Sequence, residues 1–221
     1  MADIFELFKK IGRREEKVGP PEYLVVGLGN PGPEYEGTRH NAGYAALDYI
    51  AERASIRIRD LKFKALTGRG TLGGKPVMLL KPQTFMNLSG TSVKEASDFY
   101  NIPPEKIVVI SDDVNFEPGR IRVRRSGSDG GHKGLYNIIY SLSSDAFPRV
   151  RLGVGKKPDG YDMADWVLSR MGKEEADALV STFENVNDSV ALIIEGKVED
   201  AMGKYNGSGK SHGSETTDGE K

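Results

Sequence analysis

The sequence predicts an α/β fold: a single domain with a mixed central β-sheet flanked by helices. Three observations predict it. Short apolar, β-branched runs alternate with segments of helical spacing, the order that builds layered α/β domains. A hairpin turned by Gly73-Gly74 interrupts that alternation, so the sheet is mixed rather than wholly parallel. The chain has 221 residues, 38% hydrophobic and 29% charged, without internal repeats or an interdomain linker. That is the size and balance of one moderate globular domain.

The elements follow in order. Residues 24–28 form a short apolar run, a first strand. Residues 42–54 place Ala42, Ala46, Leu47, Ile50 and Ala54 on one helical face. Residues 61–80 read as the hairpin, "KALTGRGTL" and "KPVMLLK" flanking the glycine pair. Residues 87–100 read as a helix, with Asn87 or Ser89 near its start and Pro103-Pro104 beyond its end. The run 107–110 has the signature of a buried strand. Residues 121–124 alternate after the Pro118-Gly119 turn, "GSDGGHKG" (127–134) is a glycine-rich loop, 135–142 is helical, and 149–154 is a strand. One amphipathic helix is expected over 173–194, followed by a shorter one at 197–204. Residues 1–20 form an extension in which Ile4, Phe5, Leu7, Phe8 and Ile11 alternate with charges, expected to dock on the body, or else on a partner or membrane surface. They lack the continuous apolar core of a secretory signal. The polar, glycine- and serine-rich residues 205–221 are expected to be disordered.

Composition excludes several classes of function. The chain has no cysteine, which removes disulfides, thiol nucleophiles and cysteine-bound zinc, and suits a reducing compartment. No apolar run reaches the roughly 18 residues of a membrane span. Net charge is −1, but the charges are unevenly placed. Basic residues crowd at Arg57–Arg69, at Arg120, Arg122, Arg124 and Arg125, and at Arg149, Arg151, Lys156 and Lys157, whereas 159–201 carries 11 acidic side chains against 3 basic ones. Either one half binds a polyanion or these are ordinary solvated faces.

The stretch "YLVVGLGNPGPEY" (23–35) contains a literal G-x-G-x-x-G. A dinucleotide fingerprint needs its last glycine to open a helix whose N-terminus holds the pyrophosphate. Here Pro31 and Pro33 bracket Gly32, each removing an N–H and keeping the preceding residue out of the helical region. Helical spacing returns only near Asn41, and no acidic residue follows at a strand end about 20 residues on. The loop is better described as a rigid strand exit that places Asn30 at a sheet edge and returns to "TRHNAG" (38–43).

Of the three histidines, His212 lies in the tail and His132 in the glycine-rich loop. His40 has company suited to chemistry: Asn30, "TFMNLSG" (84–90) with Asn87, and "SDD" (111–113) where a buried strand ends. Sites in α/β sheets gather at such carboxyl ends. Asp112 and Asp113, adjacent on a strand, point to opposite faces, which argues against a glycosidase-type pair. No nucleophilic serine context and no recognisable metal-ligand spacing occur. What remains is a histidine acting as general base on water with an aspartate on its other nitrogen. Such a base contributes about 10²–10⁴ in rate, enough for an activated bond such as an ester. Asparagine amides supply donors for the carbonyl or its oxyanion.

Four motifs, "VVGLGNPGPEYEGTRHNAG", "LLKPQTFMNLSG", "SDDVNFEPG" and "GSDGGHKGL", occur in order. On these the chain resembles the bacterial peptidyl-tRNA hydrolase family over roughly residues 22–200. The resemblance implies hydrolysis of the ester between a peptide, or an N-blocked amino acid, and the 3′ end of tRNA, releasing tRNA for reuse in translation. It implies a catalytic domain over 21–204, a mixed sheet wrapped by helices, and a monomeric, cytoplasmic enzyme with no metal or other cofactor and no membrane partner. It assigns the general base to His40, its aspartate to Asp112, and preference for blocked amino groups to Asn30. Tyr35, Phe85 and Asn87 match substrate-contacting positions, though Phe85 and Met86 also suit core packing and Tyr35 a packing or cap role. Arg124 and Arg151 match a tRNA-facing basic surface, in keeping with the charge split. Lys133 departs from the family, which commonly has asparagine there. Lysine has donors only and would meet the phosphates of the tRNA 3′ end or lie near His40. A non-catalytic RNA-binding relative of the fold is the competing reading, and Lys133 alone leans that way.

Overall fold

The computed structural model describes residues 18–207, so the expectations for the N-terminal extension and the polar tail fall outside the described residues at 1–17 and 208–221. At 205 and 206 the expected disorder does not hold: Tyr205 closes a helix and the Asn206 amide exchanges two hydrogen bonds with the Val123 backbone (2.7 and 2.9 Å). Seven strands form one sheet: β1 (Tyr23–Gly27), β2 (Asp60–Lys62), β3 (Ala65–Leu72), β4 (Lys75–Pro82), β5 (Ile107–Asp113), β6 (Ile121–Arg124) and β7 (Arg149–Gly153). Their order is β2-β3-β4-β1-β5-β7-β6. Strands β4, β1, β5 and β7 run parallel, while β3 and β6 pair antiparallel with their neighbours. The sheet is therefore mixed.

The helices are α1 (Ala42–Arg53), α2 (Ser89–Tyr100), α3 (Lys133–Leu142), α4 (Met163–Leu168), α5 (Lys173–Val180), α6 (Phe183–Ile194) and α7 (Val198–Tyr205). Strand alternation divides the core in two. Val25, Val77, Leu79, Val108 and Ile110 meet Leu47 and Ile50 of α1 and Val186 and Val190 of α6. Leu24, Val26, Met78, Leu80, Ile107 and Val109 meet Val93 of α2 and Leu135 and Ile138 of α3 on the other face. Both faces are covered, which is why these strands read as unbroken apolar runs. Each such side chain stabilises the fold by about 1.5–3 kcal/mol on burial.

Glycines set how closely α1 approaches the sheet. A Cβ on Gly43 would stand 2.5 Å from the Ile110 carbonyl oxygen and 2.6 Å from Leu28 N and O; one on Gly27 would stand 2.5 Å from Gly43 O. Leu28 N–H donates to Ile110 O (2.9 Å) and Tyr44 N–H to Leu28 O (3.1 Å). The start of α1 thus faces a backbone carbonyl, not a space for pyrophosphate. Gly43→Ala is expected to destabilise the protein by about 3 kcal/mol, because the opposing atoms are backbone and cannot rotate away. Urea unfolding measures this.

Three elements differ from the sequence-based reading. The helix expected over 173–194 is two helices, α5 and α6. At the break Ser181 and Thr182 hydroxyls donate to the carbonyls of Ala178 and Leu179 (both 2.6 Å), and Thr182 N–H bonds Leu179 O three residues back. Such hydroxyl back-bonding competes with the regular ladder and bends a helix. Helix α4 spans six residues, too few for periodicity to reveal, and is capped by Asp162 on Ala164 N (2.8 Å). Strand β2 extends the sheet through a turn at Phe63 and Lys64, whose φ values of 54° and 52° are left-handed. Neither residue is of the glycine or asparagine type that advertises such a turn.

Candidate active site

The carboxyl ends of β1, β4 and β5 bring three loops together. Asn30, buried just past β1, ties them. Its N–H donates to Asn41 Oδ1 (2.8 Å), and Asn41 Nδ2 returns a bond to Asn30 O (3.0 Å). Asn30 Oδ1 accepts from Met86 N (2.8 Å), beyond β4. The Asn30 Nδ2 group makes no hydrogen bond among the described residues and remains as a donor. A cleft of about 450 Å³ opens beside Asn30, lined by Pro31, Gly37, Tyr44, Asp48, Lys81 and other residues, without His40 or Asp112.

His40 lies in the 3₁₀ turn Arg39–Asn41 ahead of α1. Its Nδ1 is 2.9 Å from Asp112 Oδ1, and its ring is buried. Nε2 has no protein partner among the described residues. Asp112, 3% exposed near the end of β5, receives a second imidazole on the same oxygen: His132 Nε2 is also 2.9 Å from Oδ1. Burial by itself raises the Asp112 carboxyl. The charge and hydrogen bonds of His40 and His132 outweigh it and hold the group well below the ordinary carboxylate range. Asp113 turns the other way, to the amides of Asn115 (2.9 and 3.0 Å), as alternation on a strand requires.

The donor atoms of His40, Asp112 and His132 lie within 4.8 Å of one another, a spacing that suits a metal ion. Their protonation does not. His132 Nδ1 accepts from Gly134 N (3.1 Å) and Leu135 N (3.3 Å), capping α3. A metal on Nε2 would move the proton to Nδ1, against two N–H donors. The cluster is built as a hydrogen-bonded set.

Arg39 anchors the turn that carries His40. It is 4% exposed and donates to Val154 O (2.7 Å), Glu175 Oε2 (2.8 Å) and Ser169 Oγ (3.3 Å). Its guanidinium lies 3.7 Å from the Trp166 ring centroid. Backbone bonds Arg39 N to Ser169 O and Met171 N to Gly37 O fasten the same stretch to the segment after α4.

A family model described as Peptidyl-tRNA hydrolase matches residues 24–214. The chain belongs to the peptidyl-tRNA hydrolase family. It is 47% identical over 185 residues to the peptidyl-tRNA hydrolase of Alkaliphilus oremlandii and 49% identical over 185 residues to that of Caldanaerobacter subterraneus subsp. tengcongensis, each alignment covering 84% of this chain and 100% of the relative. Among solved structures it is similar to peptidyl-tRNA hydrolase from Acinetobacter baumannii, with a TM-score of 0.79 at 38% identity, covering 83% of this chain and 94% of that one.

The other residues matched to peptidyl-tRNA hydrolase positions fall as follows. Asn87 is exposed in the turn Met86–Leu88, with its amide unpaired among the described residues. Phe85 is 56% exposed and stands edge-on to Tyr35, ring centroids 6.4 Å apart. Met86, by contrast, is core. Lys133 is exposed at the first residue of α3 and pairs with nothing among the described residues. Register sets Arg122 opposite Arg151 and Arg124 opposite Arg149, so four arginines share one face of the β6–β7 edge. They are not equivalent. Arg149 is 2% exposed and donates to the carbonyls of Gly127, Ser128 (2.9 Å) and Asp145 (3.1 Å). Burial lowers its guanidinium to about 10, still charged at neutral pH. Arg151 Nε lies 3.0 Å from Asp113 Oδ2, but both atoms lack a hydrogen bond of proper geometry, so the contact is an ion pair. Arg124 is half-exposed and unpaired among the described residues. Part of the charge split is internal, since Arg125 pairs with Glu199 and Arg53 with Glu184.

Sequence reasoning missed His132, Arg39 and Asn41 as working parts of the site. For His132 the only signal was its place in the glycine-rich loop just ahead of the helical pattern at 135–142.

Proposed function

We propose that this peptidyl-tRNA hydrolase cleaves the ester between a peptide, or N-blocked amino acid, and the tRNA 3′ end with His40 as the general base. One observation carries the assignment: Asp112 holds His40 Nδ1 at 2.9 Å, leaving Nε2 unpartnered among the described residues. Asp112 fixes the tautomer with its proton on Nδ1. Nε2 then takes a proton from water as its oxygen attacks the ester carbonyl carbon. The amides of Asn30 and Asn87 donate to the developing oxyanion. When the acyl C–O bond breaks, the ribose oxygen leaves with the proton held on His40, giving tRNA and a free peptide acid. Asn30 also favours substrates whose amino group is blocked, and the Tyr35–Phe85 pair offers an apolar wall to the acyl part. The chemistry needs only water and side chains. We take the enzyme to act as a cytoplasmic monomer; no helix among the described residues is long and apolar enough to cross a membrane. The sequence keeps Asn30, His40, Asn87 and Asp112, and nothing favours the non-catalytic RNA-binding alternative.

Phosphates supply most of the affinity for nucleic acid. Arg124, half-exposed and unpaired among the described residues, is the stronger phosphate contact; Arg151 shares its charge with Asp113. Lys133 adds a cation where the 3′ end would arrive. The test is release of acetyl-amino acid from N-acetyl-aminoacyl-tRNA over a range of salt, with a small free ester as control. Hydrolysis dependent on the tRNA body supports the reading; equal turnover of the small ester, indifferent to salt, opposes it. Arg124→Ala is expected to weaken tRNA binding and flatten the log–log salt slope by about one unit.

A further inference from the structure

We propose that His132 is a positioning residue for the hydrolysis: the first turn of α3 holds its imidazole in one tautomer, and that imidazole holds the Asp112 oxygen on which His40 depends. The proposal rests on His40 as the base and adds a second histidine to the site. Three contacts define it: Gly134 N and Leu135 N donate to Nδ1 at 3.1 and 3.3 Å, and Nε2 meets Asp112 Oδ1 at 2.9 Å.

A ring nitrogen that accepts two N–H bonds carries no proton, so the proton of neutral His132 is on Nε2. A second proton would have to go on Nδ1, facing two N–H groups and the positive end of a helix. His132 is therefore a neutral donor of fixed direction. The His40 and His132 ring centroids are 4.9 Å apart, and both rings address one oxygen, so the carboxylate cannot rotate without breaking two bonds. The backbone also holds His132, through its N–H to Asp129 O (3.1 Å), while Arg149 holds the carbonyls of Gly127 and Ser128 in the same loop. Other charged groups near His40 point elsewhere: Asp113 to Asn115 and Arg151, Arg39 to Val154, Ser169 and Glu175.

Two substitutions separate the roles. His132→Asn keeps a side chain suited to capping α3 and removes the donor to Asp112. His132→Gln offers an amide donor of longer reach and gives up the cap. The Asn variant is expected to stay folded with a lowered thermal midpoint, to keep its KM and to lose about tenfold in kcat, the effect of one hydrogen bond to a charged group. Its acid limb in kcat/KM should move to higher pH, because Asp112 freed of one donor bears more strongly on His40 and favours the imidazolium. The Gln variant should recover most of kcat and return the limb towards wild type. Wild-type kcat and an unmoved limb in His132→Asn would reduce His132 to a helix cap. A loss of kcat in both variants with an unmoved limb would make its role structural; either result overturns the proposal. If the Asn variant fails to fold, the Gln variant decides alone: near wild-type kcat and limb support the proposal, a tenfold loss opposes it. His40→Ala, run in parallel, tests the underlying reading separately, since near-normal turnover there removes the base itself whatever His132 does.

Discussion

Replacing His40 by alanine is expected to lower kcat/KM for N-acetyl-aminoacyl-tRNA by about 10²–10⁴, the contribution of a well-placed general base. Affinity for tRNA should persist, because the arginine face proposed to meet the phosphates lies on β6 and β7. The fold should survive as well. Asp112 keeps its bond from His132, so the buried carboxylate is not stranded; the loss is one charge-assisted hydrogen bond, about 1.5–3 kcal/mol. Release of the acetyl-amino acid measures the first quantity, filter binding at low salt the second, and thermal unfolding the third. Turnover within a few-fold of wild type would remove His40 from the chemistry. The pH dependence supplies an independent check. Asp112 is held below the ordinary carboxylate range, so its contribution to stability is complete above its unfolded value, about 3.9, and is lost only as pH falls through the lower native value. An acid-side decline of kcat/KM above that unfolded value therefore comes from the reaction, with no loss of fold attributable to Asp112.

The sheet was legible because its strands obey simple rules. Val25, Val108 and Ile110 belong to runs that are apolar throughout, and only a sheet covered on both faces makes such runs. The hairpin announced itself through Gly73 and Gly74, whose φ values of 53° and 72° require residues that tolerate the left-handed region. The turn at Phe63 and Lys64 has the same backbone and no such residues, so β2 went unseen. The break at Ser181 and Thr182 was hidden for a different reason: apolar spacing continues through it, and only hydroxyl bonding back to the preceding turn marks the change.

The site divides in the same way. His40 stood out because histidines are few, and Asn30, Asn87 and Asp112 because they lie at strand ends or in the turns that follow. What tied them together was not readable. The Asn30–Asn41–Met86 network joins residues 11 and 56 apart, and Arg39 reaches Glu175 across 136 residues. Such pairings depend on topology, not on local pattern. Arg151 appeared equal to Arg124 from charge alone; the register that sets it beside Asp113 exists only in the folded sheet. Phe85 and Met86, equivalent as apolar neighbours, are separated by the Met86–Leu88 turn, which buries one and exposes the other.

Asp112→Asn is expected to reduce kcat by about 10² or more, yet by less than the roughly 10⁴-fold loss that follows when an amide forces the base into the wrong tautomer. The difference comes from His132. An amide offers one acceptor and one donor end. In a site with a single imidazole the donor end is free to face it, and the imidazole is then inverted. Here His132 presents an N–H from Nε2 because α3 occupies its Nδ1, and only the amide oxygen satisfies that N–H. His40 Nδ1 addresses the same oxygen position, 2.9 Å from Oδ1, so His40 keeps its tautomer. What the variant loses is negative charge, and with it stabilisation of the imidazolium formed as water is deprotonated. Without that charge the imidazole protonates less readily, so the acid limb of kcat/KM should move to lower pH while the plateau falls. Adding His132→Asn releases the amide to rotate. The double variant should therefore lose more than the product of the two single effects, a coupling that a double-mutant cycle reads directly. Simple multiplicativity would mean that the second imidazole does not govern how residue 112 is turned.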